Sequence, residues 1–564
     1  MRLSTDPDRD EERALATIAA AVDAGVTVFD TARAYGDNER LLANALRRCG
    51  AERNARVVTK GGMSRPAGGW APDGRAKAIL ADCEASLVAL DGLEIDLLLI
   101  HAPDPRTPWR TTVRALARLV DEGLVRRVGV CNVNRDQLDE ALALAPISAV
   151  QVALSVLDDR ALRGGVVERC AEAGVTVMAH SPLGGPRGAR TLGRRQALAD
   201  VAAARGVTPA EVALAWLLDL WPAVLAIPGA RRPETARSAA AAAALHLDDG
   251  ERAALAREFG GLRPAPAGGP PASGHAEVVV VMGIPGAGKS RIAEDLAGRG
   301  YVRLNRDERG GSLRELADAL EEVLASGVRR VVLDNTYLTR ASRSHVIDAA
   351  RRHGLPVRCI WLDAPLAQAQ VNLVERVLDR AGSLPGPDEL RVLARRGGGV
   401  LTPTSQMRAR RELEPPSDDE GWAVLEHAPF VRAPRSPTGV PGVFVAATAL
   451  GSPDWRGEVD PTAPHMLFDW RPGEDPGGLT RAVAELAAEV SGPVDGALCP
   501  HPGGPPSCWC RPPLPGLPMA LARAHGVELS RSVLVGVSAA HRTLAATLGA
   551  RYICADREDA NHAG

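Results

Sequence analysis

Over roughly its first 250 residues the chain alternates short β-branched runs with Ala- and Leu-rich stretches, and nothing else in the sequence restricts the fold as strongly. The runs are Thr27–Thr31, Arg56–Lys60, Leu97–His101, Arg127–Val133, Ala149–Leu154, Val175–Leu183 and Ala223–Gly229. Helical segments such as Asp10–Ala24 and Pro209–Trp221 separate them. A strand that returns to its sheet through a helix must run parallel to its predecessor, so this many units in one stretch predict an α/β fold of the (β/α)8-barrel type. Only seven strands are legible. The pattern opens where the helix of a second unit should begin, so the barrel is expected to lack its first strand, which a closed eight-stranded wall requires.

With 564 residues the chain exceeds what a single core can organise. Arg263–Gly274 (RPAPAGGPPASG) has no periodicity and reads as a linker, and the Pro-rich stretch around Pro434–Pro441 reads as a second boundary. The expected division is a barrel over 1–260, a linker over 261–275, a second α/β domain over 276–433 and a small third one over 434–564. The third has apolar runs at Val443–Ala447, Met466–Phe468, Val533–Val537 and Tyr552–Ala555. Aromatic residues make up 3% of the chain, so these cores must be built from Ala, Val and Leu. The net charge of −2 gives no overall attraction to nucleic acid. No apolar run reaches the length of about 20 residues that a membrane helix needs, and the first residues begin no signal peptide, so a cytoplasmic location without membrane partners is expected.

Only three of the 67 basic residues are lysines: Lys60, Lys77 and Lys289. Arginine keeps its proton and presents a broad fork, whereas lysine is a compact charge with a tunable pKa, so a retained lysine points to chemistry arginine cannot do. Lys77 sits in a polar stretch and reads as a solvated survivor. The other two fall within motifs.

The first motif spans several strand ends. FDTARAYG places Asp30 at one strand end and Tyr35 in the loop after it; Lys60 ends VVTK and His101 ends LLLIH. Strand ends converge on one face of a barrel, where a Tyr could serve as general acid if a neighbouring cation lowered its pKa. Lys60 would supply that charge, Asp30 would hold Lys60, and His101 would orient a carbonyl oxygen. Together with LLLIHAPD, GVCN, VQV, SPLG and IPGARRPE, this set resembles the aldo-keto reductase family over Met1 to about Glu258. The resemblance implies that Asp30, Tyr35, Lys60 and His101 form a catalytic tetrad. It implies that Asn132 and Gln151 hold a nicotinamide carboxamide, and that Ser181, Leu183, Gly229, Arg231 and Arg232 line the cofactor's phosphate side. Two arginines there suit a 2′-phosphate, favouring NADP(H) and reduction of a small carbonyl substrate. The chain departs from the family at Cys131, where Ser is usual, and at Ser238-Ala239, where Glu-Asn is common. The missing first strand motivates an alternative in which the barrel senses cofactor without turnover and regulates the domain that follows.

The second motif is GIPGAGKS, Gly283–Ser290, placed after the apolar strand Glu277–Ile284 and before the helical stretch RIAEDLAG. In that setting Gly283, Gly286 and Gly288 would let backbone N–H groups surround a phosphate, Lys289 would neutralise the β- and γ-oxygens, and Ser290 would ligate Mg2+ of bound ATP. Asp307 is the candidate base for an acceptor hydroxyl. LNRDE, LDNTYLTRASR and ELEPPSDDEGW resemble the kinase domain of polynucleotide kinase/3′-phosphatase enzymes over about Glu277–Arg432. The resemblance implies an acceptor at the 5′-hydroxyl end of RNA or DNA, with Asp334, Asn335 and Arg343 near its phosphate and Arg376 and Arg380 as lid arginines over the triphosphate. A small-molecule acceptor is the competing reading.

The third motif is a Pro/Gly-rich loop in which Cys499, His501, Cys508 and Cys510 bring three sulfurs and an imidazole within 12 residues, suiting a closed tetrahedral Zn2+ site. The loop CPHPGGPPSCWCRPP resembles the zinc loop of haloacid-dehalogenase (HAD)-type phosphatases. The chemistry of that family is absent: VFVAATAL has no Asp pair, Pro512 stands where a lysine is expected, and Val537 stands where a metal-binding Asp is expected. The tail therefore reads as an inactive HAD-like domain stapled by structural zinc.

Overall fold

The computed structural model describes residues 10–259, 276–397, 399–430, 439–452 and 454–555. The chain divides into two compact units, Met1–Ala265 and Pro266–Gly564. The expected linker over 261–275 lies outside the described residues, as does most of the stretch expected to separate the last two domains.

In the first unit, seven parallel strands follow one another around a barrel wall. They are β1 (Val28–Asp30), β2 (Arg56–Gly61), β3 (Ile95–Ile100), β4 (Val128–Cys131), β5 (Ile147–Ala153), β6 (Thr176–His180) and β7 (Val224–Ile227). Each pairs with the next in sequence order. Every expected strand is present, but β4 and β6 stop short of the expected ends. Asn132 and Ser181, immediately after them, take φ of +57° and +52°, a left-handed conformation that ends extended pairing. The wall faces two apolar layers. Residues such as Leu98, Val130 and Val150 pack outward against helices, and Val58, Leu99, Cys131, Ala149 and Met178 fill the interior. Among the described residues β1 and β7 do not pair, so the barrel is nearly rather than fully closed. A cavity of about 440 Å³ lies between these edges, lined by Val28, Leu225 and Ile227 of the two edge strands and by Ile18 of helix α1 (Glu11–Asp23). Lys77 is exposed.

The second unit carries two five-stranded parallel sheets. The first contains β8 (Glu277–Met282), β9 (Val302–Asn305), β10 (Arg330–Asp334), β11 (Val357–Leu362) and β12 (Val424–Ala428), in the order β9-β10-β8-β11-β12. Central β8 is buried on both faces: Val278 and Val280 pack into one apolar cluster, Val279 and Val281 into another. That two-sided burial explains why its sequence is a continuous apolar run rather than an alternation. The second sheet contains β13 (Val443–Ala446), β14 (His465–Trp470), β15 (Val494–Cys499), β16 (Val533–Gly536) and β17 (Arg551–Cys554), in the order β15-β14-β13-β16-β17. Phe444, Met466 and Phe468 share one cluster with Val371, Val374 and Val377 of helix α2 (Leu366–Ala381). The two sheets thus share apolar packing within one compact unit. Among the described residues no single helix is long and apolar enough to cross a membrane.

Candidate functional site

At the C-terminal ends of the barrel strands lies a cavity of about 920 Å³. Asp30, Tyr35, His101, Asn132, Gln151, Ser181, Leu183, Gly229, Arg231 and Arg232 all line it. Residues that are up to 202 positions apart in sequence (Asp30 to Arg232) meet there because they lie near or just beyond the C-terminal ends of several parallel strands. Beneath them the Lys60 ammonium is 1% exposed. It donates to both carboxylate oxygens of Asp30 at 2.8 and 2.7 Å and to the Thr31 carbonyl at 2.7 Å. Burial works against the ammonium, but the Asp30 carboxylate, together with Tyr35 and Cys131, more than offsets it and holds Lys60 above its ordinary pKa. The charge sits 5.4 Å from the centroid of the Tyr35 ring. Tyr35 and His101 meet edge to face at 5.7 Å, and Trp70 closes a three-ring set with both, at 6.3 and 5.4 Å.

Two of these groups were not evident from the sequence. Trp70 lies in a loop with no periodic signal, and its ring stacks under the Arg65 guanidinium at 4.6 Å. His180 ends β6. Its Nε2–H donates to Asn132 Oδ1 at 2.9 Å, and the Asn132 amide N–H donates to the His101 carbonyl at 3.1 Å. Both ends of the Asn132 amide are thereby fixed. Burial, and next to it the Lys60 charge, lowers the His180 pKa from its ordinary value. Cys131 is buried in the barrel interior, where burial pushes its thiol well above the ordinary range. Ser238 donates to Glu211, and Arg231 and Arg232 are exposed at the rim of the cavity.

In the second unit, the loop Gly283–Ser290 leaves the end of β8 and leads into the helix Lys289–Gly298, hereafter the loop helix. Gly286 has φ +87°, and a Cβ there would stand 2.3 Å from the Ala369 carbonyl oxygen, so only glycine is accommodated. Lys289 folds back on the loop, donating to the Gly283 and Ile284 carbonyls at 3.1 and 3.0 Å. Burial lowers its pKa to about 8. The lining gathers further positive charge. Arg376 and Arg380 on α2 donate to the Gly399 and Gly397 carbonyls at 2.9 and 3.4 Å. Burial and the neighbouring Arg380 both press the Arg376 pKa down, and Arg376 does the same to Lys289. Gly288 caps the loop helix, and Ser290 stands in its first turn, half-buried.

Asp334 ends β10 in register with Val281 of β8 and is 2% exposed. It accepts from Arg303 at 2.6 Å and from Asn305 at 2.9 Å. Asn335 is buried next to it and accepts from the Thr336 backbone at 2.8 Å. Asp307 is half-exposed on a short helical turn, and its charge is felt by both Lys289 and Arg376. Arg343 is held inside the unit. Its side chain has no exposed surface and is clasped by both oxygens of Glu420 at 2.7 and 2.6 Å and by the carbonyls of Tyr337 and Glu414. A guanidinium held in this way cannot reach an acceptor phosphate without breaking a buried ion pair.

Cys499, His501, Cys508 and Cys510 come together with all four ligand atoms within 4.8 Å of one another. Cys499 Sγ lies 3.7 Å from Cys508 Sγ, 3.3 Å from Cys510 Sγ and 3.5 Å from His501 Nδ1. Ligands held at about 2.1–2.3 Å around a tetrahedral Zn2+ stand roughly 3.5–3.8 Å apart, so the cluster closes around one such ion with little adjustment. Strand β13 ends at Ala446, and Ala447 follows it.

A family model described as the aldo/keto reductase family matches residues 1–257, and one described as an AAA domain matches residues 278–389. Aldo-keto reductase str7 of Strobilurus tenacellus is 33% identical over 279 residues, spanning 44% of this chain and 81% of that protein. Probable aldo-keto reductase 1 of Glycine max is 32% identical over 248 residues, spanning 39% of this chain and 71% of that protein. Among solved structures, an aldo/keto reductase from Klebsiella pneumoniae in complex with NADP and acetate is 30% identical, with a TM-score of 0.39 over 44% of this chain and 86% of that one. Through its first unit the chain belongs to the aldo/keto reductase family, and an AAA-type phosphate-binding domain follows in the same polypeptide.

Proposed function

We propose that the barrel reduces a small carbonyl compound to an alcohol with NADPH. The observation that carries this reading is the convergence of Asp30, Tyr35, Lys60 and His101 at the floor and wall of the 920 Å³ cavity. Bound NADPH would supply the hydride that adds to the carbonyl carbon. Tyr35 would give its phenolic proton to the carbonyl oxygen as negative charge builds there, which makes the product a neutral alcohol. The Lys60 charge beside the ring would ease that loss, Asp30 would fix the ammonium, and the His101 ring would orient the oxygen. Asn132 and Gln151 would hold the carboxamide, Ser181, Leu183 and Gly229 would follow the phosphate side, and the exposed Arg231 and Arg232 would grip a 2′-phosphate. Steady NADPH consumption with a panel of aldehydes, lost in Tyr35→Phe, tests the reading. Cofactor binding without turnover would favour a sensing barrel instead.

We infer that the second unit binds Mg·ATP and transfers its γ-phosphoryl group to a hydroxyl, with the 5′-hydroxyl end of RNA or DNA as the acceptor. What supports this is the meeting of Lys289, Arg376 and Arg380 at a glycine-lined loop, an excess of positive charge that a polyanion would relieve. Asp307 would orient the acceptor hydroxyl, and Asp334 and Asn335 would stand at the edge of the site. Transfer of labelled γ-phosphate to a 5′-hydroxyl oligonucleotide, abolished by Lys289→Ala, is the test. Transfer only to small alcohols would assign a different acceptor. The Cys499, His501, Cys508 and Cys510 cluster would hold a structural Zn2+ in an inactive HAD-like sheet.

A further inference from the structure

We propose that Trp509 is a positioning residue for the phosphate-binding loop, acting from the Cys/His cluster through the segment 399–406. The proposal rests on the reading of Gly283–Ser290 as an ATP site.

Trp509 stands between two members of the cluster, Cys508 and Cys510, so a metal that fixes those sulfurs also fixes the indole. The ring is 1% exposed, and its Nε1–H donates to the Leu401 carbonyl at 2.9 Å. In the same loop, the Pro506 carbonyl accepts from Thr404 Oγ1 at 2.7 Å. Leu401 lies just before helix α3 (Pro403–Glu412) and Thr404 in its first turn, so both contacts land on the segment 399–406. That segment in turn reaches the nucleotide site twice. The Gly399 carbonyl accepts from Arg376 at 2.9 Å, and Gln406, which has no exposed surface, donates to the carbonyl of Pro285 at 3.2 Å. Pro285 lies inside the phosphate-binding loop.

Apolar packing follows the same route. Cys508, Trp509 and Cys510 share a buried cluster with Val371, Val374 and Val377 of α2, the helix that carries Arg376 and Arg380. On the same helix, Asn372 donates to the Gly286 carbonyl at 2.8 Å. The ligand loop is thus joined to the phosphate-binding loop through a strap and a helix, each of which presents a polar contact to it. Without an ion, three thiols and an imidazole are packed together with only weak mutual hydrogen bonds, and the loop loses its anchor. The strap then loses the two contacts that set Gly399 and Gln406.

The test is calorimetric titration of Mg·ATP into the full chain, zinc-loaded and after chelation, with zinc content measured in each sample. Chelation is expected to weaken Mg·ATP binding at least about ten-fold, with recovery on adding Zn2+ back. Trp509→Phe keeps an aromatic, though smaller, ring and removes the N–H; it should retain zinc yet bind Mg·ATP about three- to ten-fold more weakly, with NADPH affinity unchanged as a control for the rest of the chain. In an Arg376→Gln background the further loss from Trp509→Phe should shrink, because both changes act on the same contact. Unchanged Mg·ATP affinity after complete zinc removal, or in zinc-replete Trp509→Phe, would overturn the proposal. Full additivity with Arg376→Gln would likewise reduce Trp509 to a packing residue. If zinc-loaded wild-type protein binds no Mg·ATP, the ATP reading itself fails and this inference with it.

Discussion

Gln151 donates its side-chain amide to Asp30 Oδ1 at 2.8 Å, joining two strands whose residues lie 121 positions apart in the chain. The same carboxylate oxygen accepts from Lys60. A residue expected to touch the cofactor thus also braces the ion pair beneath the candidate proton donor. If Gln151 seats the cofactor as proposed, that contact and the placement of the Lys60 charge would be mechanically linked through one carboxylate.

Breaking that pair should be costly. Asp30→Asn preserves the shape of the side chain but leaves the Lys60 ammonium buried without its countercharge, and removing one partner of a buried pair costs about 3–5 kcal/mol. The expected outcome is a barrel unfolding transition several degrees lower, read by a thermal melt, together with loss of NADPH turnover. A variant that melts at the wild-type temperature would show that the pair carries little stability.

His180→Leu separates orientation from chemistry. The substitution deletes the donor to Asn132 Oδ1 and leaves Tyr35, Lys60 and Asp30 in place. Losing one neutral hydrogen bond is worth about 1 kcal/mol, or roughly five-fold in affinity. The KM for NADPH should rise by that factor while kcat stays within about two-fold, because the contact serves binding equally in the ground and transition states. A large fall in kcat with KM unchanged would place His180 in the chemical step.

Much of this arrangement was legible in the sequence because the signals were local. The seven barrel strands are β-branched and regularly spaced, and the phosphate-binding glycines and the four Cys/His ligands each fall within a dozen residues. Where the reading failed, the missing information was long-range. The extents of β4 and β6 were overestimated because left-handed turns at Asn132 and Ser181 do not show in residue type. Strands β12 and β15 escaped notice: one carries Glu and His, the other Asp and Gly, and both lie at sheet edges, where apolar patterning is weakest. The sequence supplied Arg343 but not its partner Glu420, 77 positions away, and without the partner the guanidinium looked available to a ligand.

Arg343→Ala should destabilise the second unit by about 3–5 kcal/mol, since it strands a buried Glu420 carboxylate. Arg343→Met combined with Glu420→Leu removes both charges and should recover most of the loss. Thermal melts of the two variants decide between this structural role and an acceptor-binding one. If Arg343→Ala melts like wild type but loses phosphoryl transfer, the guanidinium serves the acceptor after all.

Lys289 gives the second unit a pH signature. Burial holds its pKa at about 8 in the nucleotide-free protein. A bound triphosphate would surround the ammonium with negative charge and raise that value, so binding above pH 8 must draw a proton from solution. Affinity for Mg·ATP should therefore be nearly flat between pH 6.5 and about 7.5, where lysine is protonated in both states, and fall as pH rises through 8 toward 10, by up to ten-fold per unit. Calorimetry at pH 9 in buffers of different ionisation enthalpy should detect uptake of close to one proton per nucleotide, and at pH 7 close to none. Lys289→Arg, whose charge does not titrate in this range, should bind more weakly but with the pH dependence flattened. Persistence of the full slope in that variant would trace it to another group.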